Sequence, residues 1–129
     1  MEVRCRHVDH VQVCIPPGAE QTARDFYVQV LGFHAVQKPE SLQGRPTQWF
    51  QNGDIELHVA VDPETRRTKQ HPAIIVENID AVRDHLVQSG ININEEPLIP
   101  DRKRFSFLDP WNNRIEFLEY LKDRRSNPI

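Results

Sequence analysis

The strongest constraint on this chain is that its sequence repeats itself once. Three segments recur in the same order at offsets of 59 to 61 residues: NGDIEL (52–57) as NNRIEF (112–117), RDFYVQ (24–29) as RDHLVQ (83–88), and, more loosely, HVQVCI (10–15) as HPAIIV (71–76). Two copies are too few for a solenoid, which needs three or more repeats to bury its faces. The chain is therefore predicted to fold as two related supersecondary units.

Each copy has the same predicted order of elements, a strand, a helix and three further strands. Alternating apolar residues predict the strands, and the spacing of Ala23, Phe26 and Tyr27 predicts a helix. Gly32 and Gly90 are expected to end the two helices. The predicted strands are 8–15, 33–38, 46–51 and 54–61 in the first copy and 71–76, 91–95, 103–108 and 114–120 in the second, with helices at 19–31 and 79–89 and hairpin turns at Asn52-Gly53 and Asn112-Asn113.

These elements predict an α+β fold in which two βαβββ repeats form a curved mixed sheet. The sheet would enclose a cup for a metal or ligand, with the helices on its outer face. We expect a single domain over the whole chain, with the following parts: repeat one 8–61, a polar linker 62–70, repeat two 71–120 and a tail 121–129.

Composition excludes several classes of function. The 129 residues carry a net charge of −3, which favours neither nucleic acid nor an anionic membrane as a partner. No apolar run approaches the roughly 20 residues of a membrane helix, and the N-terminus lacks the apolar core of a signal peptide. Cys5 and Cys14 do not resemble a disulfide framework. We therefore expect a reduced, cytoplasmic protein.

The polar faces of four predicted strands carry candidate metal ligands. Strand parity places Val11, Val13 and Ile15 on one face of the first strand and His10 on the other. The same alternation places Glu56, His71 and Glu116 on the polar faces of the strands at 54–61, 71–76 and 114–120. His58 lies on the same face as Glu56 and adds a further imidazole. Two imidazoles and two carboxylates suit a divalent transition metal.

Several motifs give the chain a family resemblance. The doubled βαβββ plan, DHVQV at residues 9–13, FYVQVLGF at 26–33 and LDPWNNRIEFLE at 108–119 resemble the vicinal oxygen chelate superfamily. That group includes glyoxalase I, fosfomycin-resistance thiol transferases, extradiol dioxygenases, epimerases and bleomycin-resistance proteins. The resemblance covers about residues 8–120 and implies the same paired-repeat fold.

The resemblance also implies roles for individual residues. His10, His71 and Glu116 match the ligand positions common to most metal-binding members, and Glu56 matches the extra glutamate of glyoxalase I. The metal would be Ni, Zn, Co, Mn or Fe, and it would bind two vicinal oxygens of a small substrate. Glu116 or Glu56 would be the base, as a lyase or isomerase of the glyoxalase type requires.

Other residues are candidates for contact with the substrate. His58 would either replace Glu56 as a ligand or touch the substrate. Arg104 would pair with a carboxylate or phosphate, and Trp49 would form an apolar wall. The loops that bind glutathione in glyoxalases are short in this chain.

Two other functions within the superfamily are considered. One is a metal-free protein of the bleomycin-resistance type that binds a small molecule, and the other is an extradiol-type dioxygenase with Fe(II) on His10, His71 and Glu116. A thiol transferase acting on fosfomycin has no clear support in the sequence. The resemblance further implies a homodimer.

Overall fold

The computed structural model describes residues 1–64 and 68–121, and the chain divides into two compact units between Glu64 and Thr65. The first unit contains β1 (Val11–Ile15), α1 (Glu20–Asp25), β2 (His34–Val36), β3 (Thr47–Asn52) and β4 (Ile55–Val61). The second contains β5 (Ala73–Ile75), α2 (Ile79–Gln88), β6 (Asn94–Glu95), β7 (Arg102–Leu108) and β8 (Arg114–Tyr120).

Each unit forms a four-stranded mixed sheet with the same topology. The strand orders are β1-β4-β3-β2 and β5-β8-β7-β6, and in both sheets the first and last strands of the repeat pair in parallel. The predicted α+β fold of two βαβββ repeats is therefore confirmed. The predicted linker at 62–70 and tail at 121–129 lie partly outside the described residues, and their boundaries stay predictions.

The apolar face of the first sheet forms the core of the first unit. Val13 and Ile15 of β1 and Leu57 and Val59 of β4 are all buried, as their alternation in the sequence predicts. Tyr27, from the helical segment, is fully buried and its ring stacks on Phe50 at 6.4 Å between centroids. The helix therefore covers the apolar face and leaves the opposite face of the sheet to polar side chains.

The second unit repeats this packing with a cluster of phenylalanines. Phe105 and Phe107 of β7 pair with Phe117 and Ile115 of β8, and all four side chains are buried. Phe107 and Phe117 meet edge to face, with 5.1 Å between ring centroids. Arg83 of α2 lies over the Phe105 ring at 4.9 Å, which brings the helix onto this face.

The first helix differs from the prediction of one continuous α-helix over 19–31. After α1 the chain continues as a π-helical turn, Phe26–Val30, and the amide of Leu31 donates to the carbonyl of Phe26. Gly32 then ends the helix with a positive φ of 78°. The spacing of apolar residues does not distinguish an α-helix from a π-helical turn, because the extra residue in a π-helical turn shifts the buried positions by only one residue.

The ends of several other elements also differ from the prediction. The first hairpin turns at Gly53 and Asp54, because Asn52 pairs directly with Ile55, so the predicted Asn52-Gly53 turn is shifted by one residue. Strands β1, β2, β5 and β6 are shorter than predicted, since the chain pairs with a neighbouring strand over only part of each predicted stretch. Within the described residues, no helix has the length and apolarity required to span a membrane.

A carboxylate from the sheet caps helix α2. Glu119 on β8 accepts hydrogen bonds from the backbone amides of Asn78 at 2.8 Å and Ile79 at 3.0 Å. Asn78 has a left-handed backbone with φ of 55° and provides no side-chain cap of its own. The negative charge of Glu119 thus satisfies two free amides at the positive end of the helix.

We expect Glu119→Ala to lower the free energy of unfolding by about 1–2 kcal/mol, because two amides lose a charged acceptor. Glu119→Gln, which keeps one oxygen, should cost less. Urea denaturation monitored by circular dichroism would measure the change. Glu77→Ala, which removes an exposed carboxylate nearby, is the matched control. Equal effects of Glu77→Ala and Glu119→Ala would contradict the capping role.

Candidate functional site

The polar face of the first sheet brings three potential metal ligands together. His10 directly precedes β1, and Glu56 and His58 lie on β4, the strand that pairs in parallel with β1. One ligand atom from each of the three side chains lies within 4.8 Å of the others. Of the sequence-predicted site residues, the structure therefore groups His10, Glu56 and His58 within the first unit.

The His58 ring lies in a stack of three aromatic rings. Trp49 on β3 is its direct cross-strand partner, and the two rings are 4.1 Å apart and nearly parallel, at 5°. On the other side the His10 ring stacks at 4.1 Å and 18°. The His58 side chain is only 8% exposed, so its orientation is fixed by packing on both faces.

The Nε2 atom of His58 is buried, and none of the residues that the structure describes provides it with a hydrogen-bond partner. The nearest carboxylate oxygen, Oε2 of Glu56, is 3.5 Å away, which is an ion-pair distance but too long for a good hydrogen bond. Burial lowers the pKa of His58, and the neighbouring His10 lowers it further, while Glu56 opposes the shift. A neutral imidazole with an unused nitrogen is the form that binds metals.

Asp9 orients His10. The Nδ1 atom of His10 lies 2.8 Å from Oδ2 of Asp9, and this hydrogen bond holds the pKa of Asp9 below its ordinary value. In the tautomer that donates from Nδ1, the Nε2 lone pair of His10 is left available. Histidines that bind metals are commonly held in this way by a carboxylate. The sequence reasoning did not assign Asp9, although the Asp-His dipeptide was visible.

The chemistry of the donor set fits a divalent ion. Two imidazole nitrogens and one carboxylate oxygen suit Zn, Fe, Co, Ni and Mn. The unpaired, buried Nε2 of His58 is the kind of polar atom that a metal ion would satisfy. The structure thus supports a possible metal site at His10, Glu56 and His58, without indicating which metal.

The remaining predicted residues form a cluster in the second unit. Glu116 on β8 is 7% exposed, and its Oε1 lies 3.3 Å from Nε2 of His71 and 3.3 Å from Nη1 of Arg104. Arg104 also donates to the carbonyl oxygen of Pro97, at 2.9 Å from Nη2. Glu116 therefore has a positive partner inside its own unit.

In the second sheet, the strand pairing gives His71 a different position from the one that alignment of the two repeats suggested, which was the equivalent of His10. Ala73 is the residue opposite Glu116, and β5 begins there, so His71 precedes the strand by two residues. The Nδ1 atom of His71 lies 2.9 Å from the carbonyl oxygen of Lys69. Sequence alignment of the two copies places His71 at the equivalent of His10 but does not reveal this shift in register.

Glu96 forms a second, partly buried charge cluster that the sequence did not indicate. Its Oε1 accepts hydrogen bonds from Oγ of Ser106 and Nη2 of Arg114, both at 2.5 Å. These two hydrogen bonds lower the pKa of Glu96, and the bond from Ser106 has the larger effect. Burial acts in the opposite direction and raises the pKa. Alternation along the predicted strand 114–120 puts Arg114 on the polar face. Glu96 lies outside any predicted strand or helix, so no pattern in the sequence indicated that it pairs with Arg114.

The sequence profile described as the Glyoxalase/Bleomycin resistance protein/Dioxygenase superfamily matches residues 7–117. The chain belongs to this superfamily, as its resemblance to vicinal oxygen chelate proteins implied. No curated protein matches the chain in sequence.

Among solved structures, the chain is similar to a protein from Bacillus anthracis described as belonging to the glyoxalase family. The two are 39% identical with a TM-score of 0.85, over 93% of this chain and 99% of that one. A fosfomycin resistance protein from Listeria monocytogenes, complexed with Mn(II) and sulfate, has a TM-score of 0.70 and 15% identity over 95% and 96% of the two chains.

An antibiotic binding protein from a Streptomyces species also shares the fold. It has a TM-score of 0.67 and 21% identity, over 92% of this chain and 99% of that one. At these identities the fosfomycin resistance and antibiotic binding proteins establish the fold and leave the activity open. The superfamily and the paired βαβββ fold are therefore established.

The Glu96 cluster predicts a pH-dependent contribution to stability. The folded pKa of Glu96 lies below its ordinary value of 4.5, so the unfolded chain takes up this proton first as the pH falls. The contribution is complete above about pH 5 and is lost as the pH falls through the folded pKa. We expect Glu96→Gln to destabilise the protein at pH 7, and we expect this destabilisation to become smaller as the pH is lowered below 4.5 towards 3.

Urea denaturation of wild type and Glu96→Gln at both values of pH would measure this difference. Glu40→Gln, at an exposed position in the first unit, serves as the control and should change stability little at either pH. A destabilisation by Glu96→Gln that is the same at pH 3 and pH 7 would exclude the proposed titration.

Proposed function

We propose that this chain is a divalent-metal-dependent enzyme of the glyoxalase type that acts on a small substrate with two neighbouring oxygens. The observation that carries the proposal is the convergence of His10, Glu56 and His58, whose ligand atoms lie within 4.8 Å of one another. The buried, unpartnered Nε2 of His58 supports it independently. Membership of a superfamily whose members often use divalent metals is consistent with this reading.

His10 belongs to every ligand set considered. The resemblance to glyoxalase I gives the full proposed set of His10, Glu56, His71 and Glu116, in which His58 is the alternative to Glu56. The Asp9 carboxylate would hold the His10 ring so that Nε2 faces the ion. A bound ion would supply Lewis acidity, polarising the two substrate oxygens and acidifying the adjacent C–H bond. The reaction would be of the lyase or isomerase type.

The proton of that C–H bond requires a carboxylate base, and Glu116 and Glu56 are the proposed candidates. Glu116 is held at 3.3 Å by Arg104 and by His71, so its orientation is fixed before any substrate arrives. Arg104 is proposed to contact an anionic group of the substrate, although it already donates to Pro97. Trp49 would provide an apolar wall beside His58.

The proposal extends to assembly and organisation. We propose that the chain is a single domain made of its two repeats and that it forms a homodimer, as the resemblance implies. Multi-angle light scattering should give twice the mass of 15.1 kDa at micromolar concentration. A stable monomer under those conditions would contradict the dimer but would leave the metal proposal intact.

Metal binding is expected to stabilise the fold measurably. Free ion at 100 times its dissociation constant adds about 2.7 kcal/mol to the free energy of unfolding. Chelation of the purified protein should therefore lower Tm, and addition of Ni, Zn, Co, Mn or Fe(II) should restore it. His10→Ala should abolish the response.

Elemental mass spectrometry of tag-free protein is the direct measurement, and about one ion per chain is expected. His34→Ala, which removes an exposed imidazole on β2, is the matched control and should keep the ion. Absence of metal from the wild type, even after each ion has been added back and dialysed, would exclude the enzyme proposal.

A metal-free small-molecule binding protein is the second candidate. The observation that favours it is the stack of Trp49, His58 and His10, because stacked rings suit recognition of a flat aromatic ligand. The ion pair between Glu116 and Arg104 is also compatible with a protein that binds no metal. An Fe(II) extradiol-type dioxygenase remains a further alternative, which iron content and oxygen uptake with a catechol would identify.

The binding candidate can be tested by fluorescence. The chain has two tryptophans, so Trp111→Phe leaves Trp49 as the single reporter. If the second candidate is correct, metal-free bleomycin added to chelated protein should quench Trp49 in a saturable manner. If the metal-dependent enzyme is correct, chelated protein should show no saturable quenching.

A further inference from the structure

We infer that Arg104 competes with a metal ion for the Glu116 carboxylate and thereby sets the affinity of this chain for metal. The inference rests on the proposed metal function, in which Glu116 is a ligand. It gives Arg104 a role in the metal-free protein, before any substrate is bound. The contacts that carry the argument all lie in the second unit.

The contested atom is Oε1 of Glu116, a residue that is only 7% exposed. Nε2 of His71 lies 3.3 Å from this oxygen, and so does Nη1 of Arg104. Two ligands that bind one ion at about 2.1 Å lie about 3.0–3.4 Å apart, so the spacing of His71 and Glu116 suits a shared ion. Arg104 therefore contacts the same oxygen that such an ion would use.

Arg104 is held beside Glu116 by hydrogen bonds that a metal ion would leave intact. Its Nε and Nη2 atoms donate to the carbonyl oxygen of Pro97 at 3.2 Å and 2.9 Å, whereas Nη1 donates to Glu116 at 3.3 Å. The Arg104 side chain is 17% exposed, so water provides few alternative partners. The guanidinium therefore stays close to the carboxylate even when its Nη1 contact is broken.

That carbonyl group is itself fixed, because it belongs to a strap of three residues, 95–97, that is bound at each position. The first residue of the strap pairs with Arg83 on α2. The carboxylate of the second accepts hydrogen bonds from Ser106 and Arg114, both at 2.5 Å, and the third is the acceptor for Arg104. Three arginines, on α2, β7 and β8, thus hold the strap and keep Arg104 in its position.

The charge balance around Glu116 opposes a second cation. A guanidinium already compensates the carboxylate, and a metal ion would have to displace or approach it. Even with the full screening of water, a doubly charged ion about 5 Å from a guanidinium is repelled enough to lower its affinity by about tenfold. Because Glu116 is nearly buried, screening there is weaker than in water, and the effect is expected to be larger.

The fold does not require a charge at the position of Arg104. Arg104 lies opposite Leu118 in the second sheet, and the corresponding pair in the first sheet is Trp49 and His58. The first repeat thus has an uncharged indole where the second has a guanidinium. The competing charge is therefore a feature of the second repeat and not of the paired βαβββ plan, and neutral substitutions of Arg104 are expected to fold.

Metal binding would change the partners of Arg104. When Glu116 binds an ion, Arg104 loses one contact and keeps the two hydrogen bonds to Pro97. Nη1 then becomes available for an anionic group of the substrate, which is the contact that the proposed function gives to Arg104. The same side chain thus lowers the affinity for metal in the absence of substrate and contacts the substrate once metal is bound.

The test is the affinity for Ni(II) and Mn(II), measured by isothermal titration calorimetry on the chelated full chain. We expect Arg104→Gln, which removes the charge, to bind these ions more tightly than wild type by about tenfold or more. Arg104→Lys keeps the charge and should stay within about threefold of wild type. Arg102→Gln is the matched control, because it removes the same charge from a partly buried position on the same strand, further from Glu116, and it should also stay within about threefold.

Folding is checked on the chelated proteins by circular dichroism and Tm. Arg104→Met is a second neutral variant, which keeps much of the side-chain length and removes the hydrogen bonds, and it should also bind metal more tightly than wild type. A merely supporting role for Arg104 predicts the opposite result, because loss of a partner that orients a ligand weakens metal binding by about 10–100-fold. The direction of the change therefore distinguishes competition from support.

The outcomes separate this inference from the function on which it rests. Unchanged or weaker affinity in the folded neutral variants, or an equal gain in Arg104→Lys or Arg102→Gln, would overturn the competition and leave the metal function standing. Binding by Arg104→Gln but not by wild type would support the competition and contradict a metal-dependent function for wild type. Absence of binding in wild type and in both neutral variants would overturn the two together.

Discussion

The parallel pairing of the first and last strands of each repeat is the constraint on which both the core and the candidate site depend. Parallel strands cannot be joined by a hairpin, so the chain must cross over through a helix before it returns. In the first unit this pairing aligns Val11 with Leu57 and Val13 with Val59, which builds the apolar face. The same alignment brings His10, which directly precedes β1, beside Glu56 and His58. One pairing therefore fixes the hydrophobic packing and the donor cluster together.

The two repeats use this common plan for different chemistry. Their glutamates, Glu56 and Glu116, lie at equivalent places on the last strand, but the charged and polar side chains that approach them differ. In the first unit the imidazoles of His10 and His58 lie near the carboxylate, and the buried Nε2 of His58 has no hydrogen-bond partner among the described residues. In the second unit Arg104 and His71 contact the carboxylate and compensate its charge. A duplicated fold has thus kept its backbone pairing while its polar faces diverged.

Much of the fold followed from patterns in the sequence, because alternation and helical spacing report which residues face the core. The order of elements, the duplication and the buried sets on β1, β4 and β8 were predictable from this signal alone. The π-helical turn after α1, the position of the first hairpin turn and the register of β5 were not. Each of these depends on where one residue is added or omitted relative to a neighbouring element, and such a shift leaves the local periodicity almost unchanged.

The sequence by itself determined the superfamily, the doubled βαβββ plan and the apolar faces of β1, β4 and β8, since a strand has a period of two wherever it packs. Only the tertiary structure decided which of those side chains touch. It stacked His58 between Trp49 and His10, gave His10 a carboxylate partner in Asp9, and gave Glu116 a guanidinium in Arg104. The reason is physical: parity assigns a residue to a face, but contact on that face is set by cross-strand register and side-chain rotamers, which arise from pairing and packing.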